Sequence, residues 1–213
     1  MRRRDMVAAI QKGILDANTL LERWSGGFWV HDRGVEGLMV SQIAQAIYER
    51  GLSGFLDLEV PFHDLEACAG AKPKRGRRPS LIEGRPRIDL AVFNAQSSLI
   101  AAVEVKRGWV DEPCSRDIDR LWTLIQRLGR ERSGSLQCGL LGFFDAYEGW
   151  DPIEAAACSR SNYKQKVVRG IGYDENRVRI HASGDTVYKS GNYPKWLGLP
   201  VVVEITSPYA QER

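Results

Sequence analysis

Two strongly apolar segments separated by a short polar turn constrain this chain more than any other feature. The segments are Arg87–Phe93 and Leu99–Lys106, and residues 94–98 between them are mostly polar. Apolar, β-branched runs of this length, bounded by turn residues, are typical of strands. The sequence therefore predicts a β-hairpin in which the apolar side chains are buried.

Helical patterns flank the hairpin on both sides. Apolar residues at intervals of three and four predict a helix over 6–24, a second over 35–50 that ends at Gly51, and a third after the hairpin with Ser115 as N-cap. We interpret Asp117 and Asp119 as acids that serve the N-terminus of this third helix. The other predicted elements are strands over 55–62, 136–144, 177–181 and 201–205 and a helix over 153–161.

The order of these elements is helix, strand, hairpin, helix and strand, which predicts an α/β sandwich around a mixed sheet. A length of 213 residues suits a single domain. Within this domain we expect an N-terminal helical extension over 1–34, a core over 35–145 and a C-terminal elaboration over 146–213.

The charges of the chain are balanced in number but not in position. There are 30 Lys and Arg against 27 Asp and Glu, and a net charge of +3 does not by itself indicate a nucleic-acid partner. We expect a basic segment before the hairpin, together with Arg107 after it, to contact a phosphate backbone, and a solvated loop is the alternative. The basic residues of this segment are Lys72, Lys74, Arg75, Arg77, Arg78, Arg85 and Arg87.

Three charged residues of the hairpin can meet on one face. Glu104 and Lys106 are two residues apart, so they share a face of their strand. Asp89 joins them if the strands pair with an odd residue sum, whereas an even sum sends it to the opposite face. Two converging carboxylates repel unless a cation lies between them, and hard oxygen ligands select Mg²⁺ or Mn²⁺. Lys106 could then orient or deprotonate a water, or stabilise phosphate charge.

Glu36 provides an independent indication of an acidic site. At about 100° per residue it lies within about 40° of Val40, Ile43 and Ile47 on the second predicted helix. A carboxylate on that apolar face needs a cation or hydrogen bonds, whereas Glu49 falls on the polar face. We therefore select Glu36 over Glu49 as a further acid of the site.

This arrangement resembles the motif of the PD-(D/E)xK nuclease superfamily, which has the restriction-endonuclease-like fold. The similarity covers about residues 35 to 145, with Asp89 in Arg-Ile-Asp-Leu and Glu104-Val105-Lys106 on the next strand. It implies a three-layer sandwich with nuclease activity that depends on Mg²⁺, or on Mn²⁺ as a substitute. The resemblance further implies that Asp89, Glu104 and the carbonyl of Val105 hold the metal, that Lys106 lies beside the attacking water, and that Glu36 is the helix acid.

From this resemblance we expect an endonuclease that hydrolyses phosphodiesters of DNA, of the restriction, repair or junction-resolving type. Cleavage of both strands would favour a homodimer. One alternative is a non-catalytic module of the same fold that binds nucleic acid or a protein. Another is a structural protein in which Glu104 and Lys106 only pair at a sheet edge.

The remaining residues of interest have simpler interpretations. The four cysteines and three histidines are scattered, which predicts a reducing cytoplasm and neither a zinc site nor a disulfide framework. No apolar stretch is long enough to span a bilayer, so we expect no membrane partner. Cys114 and Cys138 are expected to be buried packing residues, and Trp109 either stacks on a base or packs in the core.

Overall fold

The computed structural model describes residues 2–71, 86–171, 175–183, 185–188 and 196–206. These residues form one mixed sheet with the strand order β1-β2-β3-β4-β7-β5 and β6 beside β7. Among these strands only β3 and β4 run parallel to each other. The seven strands are β1 (Phe55–Pro61), β2 (Arg87–Phe93), β3 (Leu99–Lys106), β4 (Cys138–Glu148), β5 (Val178–Ala182), β6 (Val187–Tyr188) and β7 (Trp196–Thr206).

Helices cover both faces of the sheet. They are α1 (Arg3–Ser25), α2 (Glu36–Glu49), α3 (Phe62–Cys68), α4 (Asp111–Leu128) and α5 (Pro152–Ile171). One hydrophobic cluster joins α1 and α2 to the sheet, and a second joins α3, α4 and α5 to its other face. The predicted α/β sandwich around a mixed sheet is therefore confirmed. In the described part of the chain, no helix combines the length and the apolar character needed to cross a membrane.

The first helix is packed against the sheet along its length. Met6, Ile10 and Ile14 are fully buried, and α1 contacts both β4 and β7. It also lies close to α2, because a Cβ added at Gly13 would be only 2.4 Å from the Cα of Ile43. Glycine at this position lets the two helix backbones approach each other closely.

Several elements differ from their predicted bounds. The helix α3 was not predicted, because seven residues are too few to show helical periodicity. It forms where Phe62 and Leu65 are buried against the sheet. The helix α4 begins at Asp111 with Val110 as N-cap, so the expected N-cap at Ser115 is wrong. Acids and a proline suit a first helical turn, which explains the earlier start. The helix α5 extends ten residues beyond the predicted end at 161.

Candidate active site

A register shift in the hairpin decides on which face Asp89 lies. Beside the turn the paired residues of β2 and β3 have an even sum, but the register shifts between Val92 and Phe93 and the sum is odd from there on. Directly paired residues of antiparallel strands share a face. Asp89 therefore lies on the same face as Glu104 and Lys106, which is the odd-sum alternative.

The segment that leads into β4 forms hydrogen bonds to the backbone at this irregularity. The carbonyl of Leu99 accepts a hydrogen bond from the Ser135 hydroxyl at 2.7 Å, and the carbonyl of Ile100 accepts one from the Gln137 N–H at 3.0 Å. These two carbonyls lie where the ladder between β2 and β3 is interrupted. Because distant residues satisfy them, the bulge leaves these backbone acceptors paired.

Asp89 and Glu104 lie side by side where the ladder of β2 and β3 ends. The N–H of Val105 donates to Oδ2 of Asp89 at 2.7 Å, so a carboxylate oxygen replaces a strand carbonyl as the acceptor. Glu104 is buried, with only 1% of its side chain exposed. The carboxylate of Asp89, which is partly buried, therefore lies against one that is closed to solvent.

The Lys106 ammonium is surrounded by oxygen atoms. Its Nζ lies 3.2 Å from the carbonyl oxygen of Val105 and 3.0 Å from Oδ2 of Asp117. Oε2 of Glu36 is 3.9 Å away on the other side. The ammonium thus connects the end of β3 to both α2 and α4.

Glu36 reaches the end of β3 from the first turn of α2. Its Oε1 accepts a hydrogen bond from the N–H of Arg107 at 3.4 Å. The sequence places Glu36 on the apolar face, but 44% of its side chain is exposed, and none of residues 35–38 around it is buried. Glu49 is exposed at the other end of α2 and accepts a bond from Gln45 instead. Of the two acids, the structure brings only Glu36 to Lys106.

Two residues of α4 belong to this cluster and were not predicted as part of it. Asp117 is buried and contacts Lys106, and Arg120 lies 2.8 Å from Oε1 of Glu104. The expectation that Asp117 serves the helix N-terminus is wrong, because the earlier start of α4 places it in the second turn, facing the sheet. Its spacing of four and seven residues from Leu121 and Leu124 was the available signal.

Burial and like charges raise the pKa of Glu104 well above its usual range. Desolvation is the largest cause, followed by the carboxylates of Asp89 and Asp117, and Arg120 only partly opposes them. For Lys106, burial lowers the pKa, but Asp117, Glu36 and Asp89 together raise it further than burial lowers it. Lys106 is therefore a charged hydrogen-bond donor at neutral pH rather than a base.

The donor atoms at this point are all hard oxygens, the type that Mg²⁺ and Mn²⁺ prefer. They are the carboxylates of Asp89 and Glu104 and the carbonyl of Val105. No group of three or more His, Cys, Asp or Glu side chains that could hold a metal occurs among the described residues. Mg²⁺ is usually bound through one or two carboxylates and keeps several waters, so the pair of carboxylates fits that ion better than one that needs a full protein cage.

The predicted phosphate-contacting residues are only partly within the described chain. Arg87 is exposed at the start of β2, and Arg107 is exposed at the end of β3. Both are therefore open to solvent close to the acidic cluster. The other six lie outside the described residues: Lys72, Lys74, Arg75, Arg77, Arg78 and Arg85.

Trp109 packs on the core beside the site. Its ring lies 4.8 Å from that of Tyr163 and 5.5 Å from that of Phe143. Of the two interpretations of this residue, core packing is the one observed. Cys114 and Cys138 are fully buried, as predicted, and burial raises the pKa of Cys114 to about 11 and that of Cys138 to about 12.

Comparison with protein-family models, with curated proteins and with solved structures gave no match.

Proposed function

We propose that this protein is a metal-dependent nuclease that hydrolyses phosphodiesters, with DNA as its substrate, on a restriction-endonuclease-like three-layer fold. The observation that carries the proposal is the convergence of a partly buried acid, a buried acid and a charged lysine at the end of β3. Asp89 lies beside Glu104, and Lys106 projects from the same face two residues further on. These residue types at these positions supply ligands for a cation and a donor for phosphate oxygens.

The charge balance of the site supports a divalent cation. Four carboxylates interact with one another or with a shared cation, and among the described residues the cations that pair with them are Lys106 and Arg120. The carboxylates are those of Asp89, Glu104, Asp117 and Glu36. When all six are ionised, the carboxylates exceed the cations by two charges. Excess negative charge at a site that is partly closed to solvent is costly, and burial together with the carboxylates of Asp89 and Asp117 raises the pKa of Glu104.

In the proposed reaction, water attacks the phosphorus, the ester P–O bond breaks, and the leaving oxygen takes up a proton. A Mg²⁺ held by Asp89, Glu104 and the Val105 carbonyl would supply Lewis-acid stabilisation of the phosphate charge. Lys106 donates hydrogen bonds to the water or to a phosphate oxygen, which orients one and stabilises charge on the other. Glu36 is a solvent-exposed carboxylate beside Lys106 and can accept the proton of the water.

A second candidate is a non-catalytic nucleic-acid-binding module on the same fold. It is favoured by the ion pairs of Arg120 with Glu104 and of Lys106 with Asp117, because these pair the buried acids without a metal. This candidate predicts DNA binding that survives Asp89→Ala. It also predicts that no divalent cation yields a cleavage product.

The decisive experiment is a cleavage assay on linear, nicked, branched and single-stranded DNA with Mg²⁺ and with Mn²⁺. We expect Asp89→Asn, Glu104→Gln and Lys106→Ala each to lower the rate at least about a hundredfold. Asp57→Asn on the exposed edge strand β1 is the matched control and keeps full activity. Full activity of both Asp89→Asn and Lys106→Ala, or no product from the wild-type chain on any substrate, would refute the proposal.

A further inference from the structure

The guanidinium of Arg120 lies between two buried carboxylates of the candidate active site. Its Nη2 is 2.8 Å from Oε1 of Glu104 and also contacts Oδ1 of Asp117. The exposed side-chain fractions are 1% for Glu104, 5% for Asp117 and 20% for Arg120. Arg120 is therefore the cation that faces Glu104 from the helix layer, while Asp89 faces it from the sheet.

The two contacts of Arg120 differ in kind. Its contact with Asp117, three residues earlier on α4, is a hydrogen bond. Its contact with Glu104 lacks hydrogen-bond alignment, and neither Oε1 of Glu104 nor Nε of Arg120 has a hydrogen-bond partner among the residues that the structure describes. Arg120 is thus anchored on its own helix and reaches Glu104 through charge alone, without the paired bonds of a bidentate salt bridge. Glu104 can exchange this cation for another without the loss of a hydrogen bond.

We infer that Arg120 is an internal counter-ion of the metal-free state, which holds Glu104 in position and competes with the divalent cation for it. The inference rests on the proposed function, since it assumes that Glu104 is a metal ligand. It assigns Arg120 a positioning role that acts through Glu104, and it accounts for ion pairs that would otherwise favour a site without metal. When a cation binds, Arg120 keeps Asp117 as its partner, so its charge is not left unpaired.

The two possible roles of Arg120 predict opposite changes in metal affinity. A residue that only supports the structure of the site would weaken metal binding when it is replaced. Removal of a competing positive charge next to the ligand should instead tighten binding of a divalent cation, by about tenfold at the effective dielectric of a partly buried site. The sign of the change therefore separates the two roles.

The test is calorimetric titration of the full chain with Mn²⁺ in the absence of DNA. We expect Arg120→Gln to lower the Kd for Mn²⁺ about tenfold, and Arg120→Lys, which keeps the charge, to remain close to the wild type. Arg116→Gln is the matched control, because Arg116 lies one turn earlier on α4, is exposed and pairs with Glu112. Its Kd should equal that of the wild type. Arg120→Met, which keeps the length and helix propensity of the side chain, is the second variant if the glutamine variant does not fold.

Each result supports or overturns the inference. A Kd that is unchanged or weaker in the folded Arg120→Gln or Arg120→Met variant overturns it. If Glu104→Gln nevertheless loses Mn²⁺ binding, the proposed metal site still stands and only the role of Arg120 is wrong. If the wild-type chain binds no Mn²⁺, and no Arg120 variant does, both the proposed site and the inference are wrong. The rise in melting temperature that Mn²⁺ produces in each variant provides a second measurement of the same affinities.

Discussion

Replacement of Glu104 by glutamine should stabilise the metal-free protein, and increasingly so as the pH rises. Burial and the nearby acids raise the pKa of Glu104 in the folded chain. The folded chain then holds this proton more tightly than the unfolded chain does, so protonated Glu104 stabilises the fold at low pH. That contribution is lost as the pH rises from the usual glutamate pKa through the raised one. Glutamine has a similar shape and does not titrate.

The size of the effect follows from the linkage between proton binding and stability. Within that pH window, the free energy of unfolding of the wild type falls relative to the variant by about 1.4 kcal/mol per pH unit. For a domain of this size, this corresponds to about 3 to 6 °C in melting temperature per pH unit. Arg120 lowers the pKa of Glu104, but burial and the nearby acids raise it by more.

The measurement is thermal or urea unfolding of both proteins in EDTA between pH 4 and pH 8. Glu49→Gln, an exposed position on α2, is the control and should track the wild type at every pH. Saturating Mg²⁺ or Mn²⁺ should stabilise the wild type and the control but not Glu104→Gln, by about 2.7 kcal/mol at a hundredfold excess over Kd. A difference between Glu104→Gln and the wild type that does not change with pH would refute the reasoning, as would a variant that is less stable throughout.

Three further perturbations probe the elements that build the site. Glu36→Gln should slow cleavage while Glu49→Gln does not, because only the first lies beside Lys106, and equal rates in a DNA cleavage assay would contradict this. Asp117→Asn should move the alkaline limit of the pH–rate profile to lower pH, because burial lowers the pKa of Lys106 and the Asp117 carboxylate no longer raises it. An unchanged limit would show that Asp117 does not keep Lys106 protonated. Gly13→Ala should lower the free energy of unfolding, measured by urea denaturation, by about 1 to 3 kcal/mol, because the added Cβ would lie 2.4 Å from a backbone atom of α2. Wild-type stability of this variant would show that the helices can move apart.

Much of the fold could be predicted because it depends on local patterns. The bounds of β2 and β3 agree with the predicted hairpin, since two apolar runs around a short polar turn leave few other conformations. The helices α1 and α2 could also be predicted, from the periodicity of their apolar residues. The short helix α3 was not, because it forms only where the sheet buries Phe62 and Leu65.

The amino-acid sequence by itself determined which charged residues of the hairpin could form a site, and that Glu36 rather than Glu49 could join them. It left the face of Asp89 open, because a strand alternates with a period of two and one bulged residue reverses every side chain beyond it. The tertiary structure decided this point, because the register of β2 and β3 shifts by one residue at a bulge whose carbonyls bond to Ser135 and Gln137, far from it in sequence. It also brought α4 onto the sheet, so that the charges of that helix complete the site.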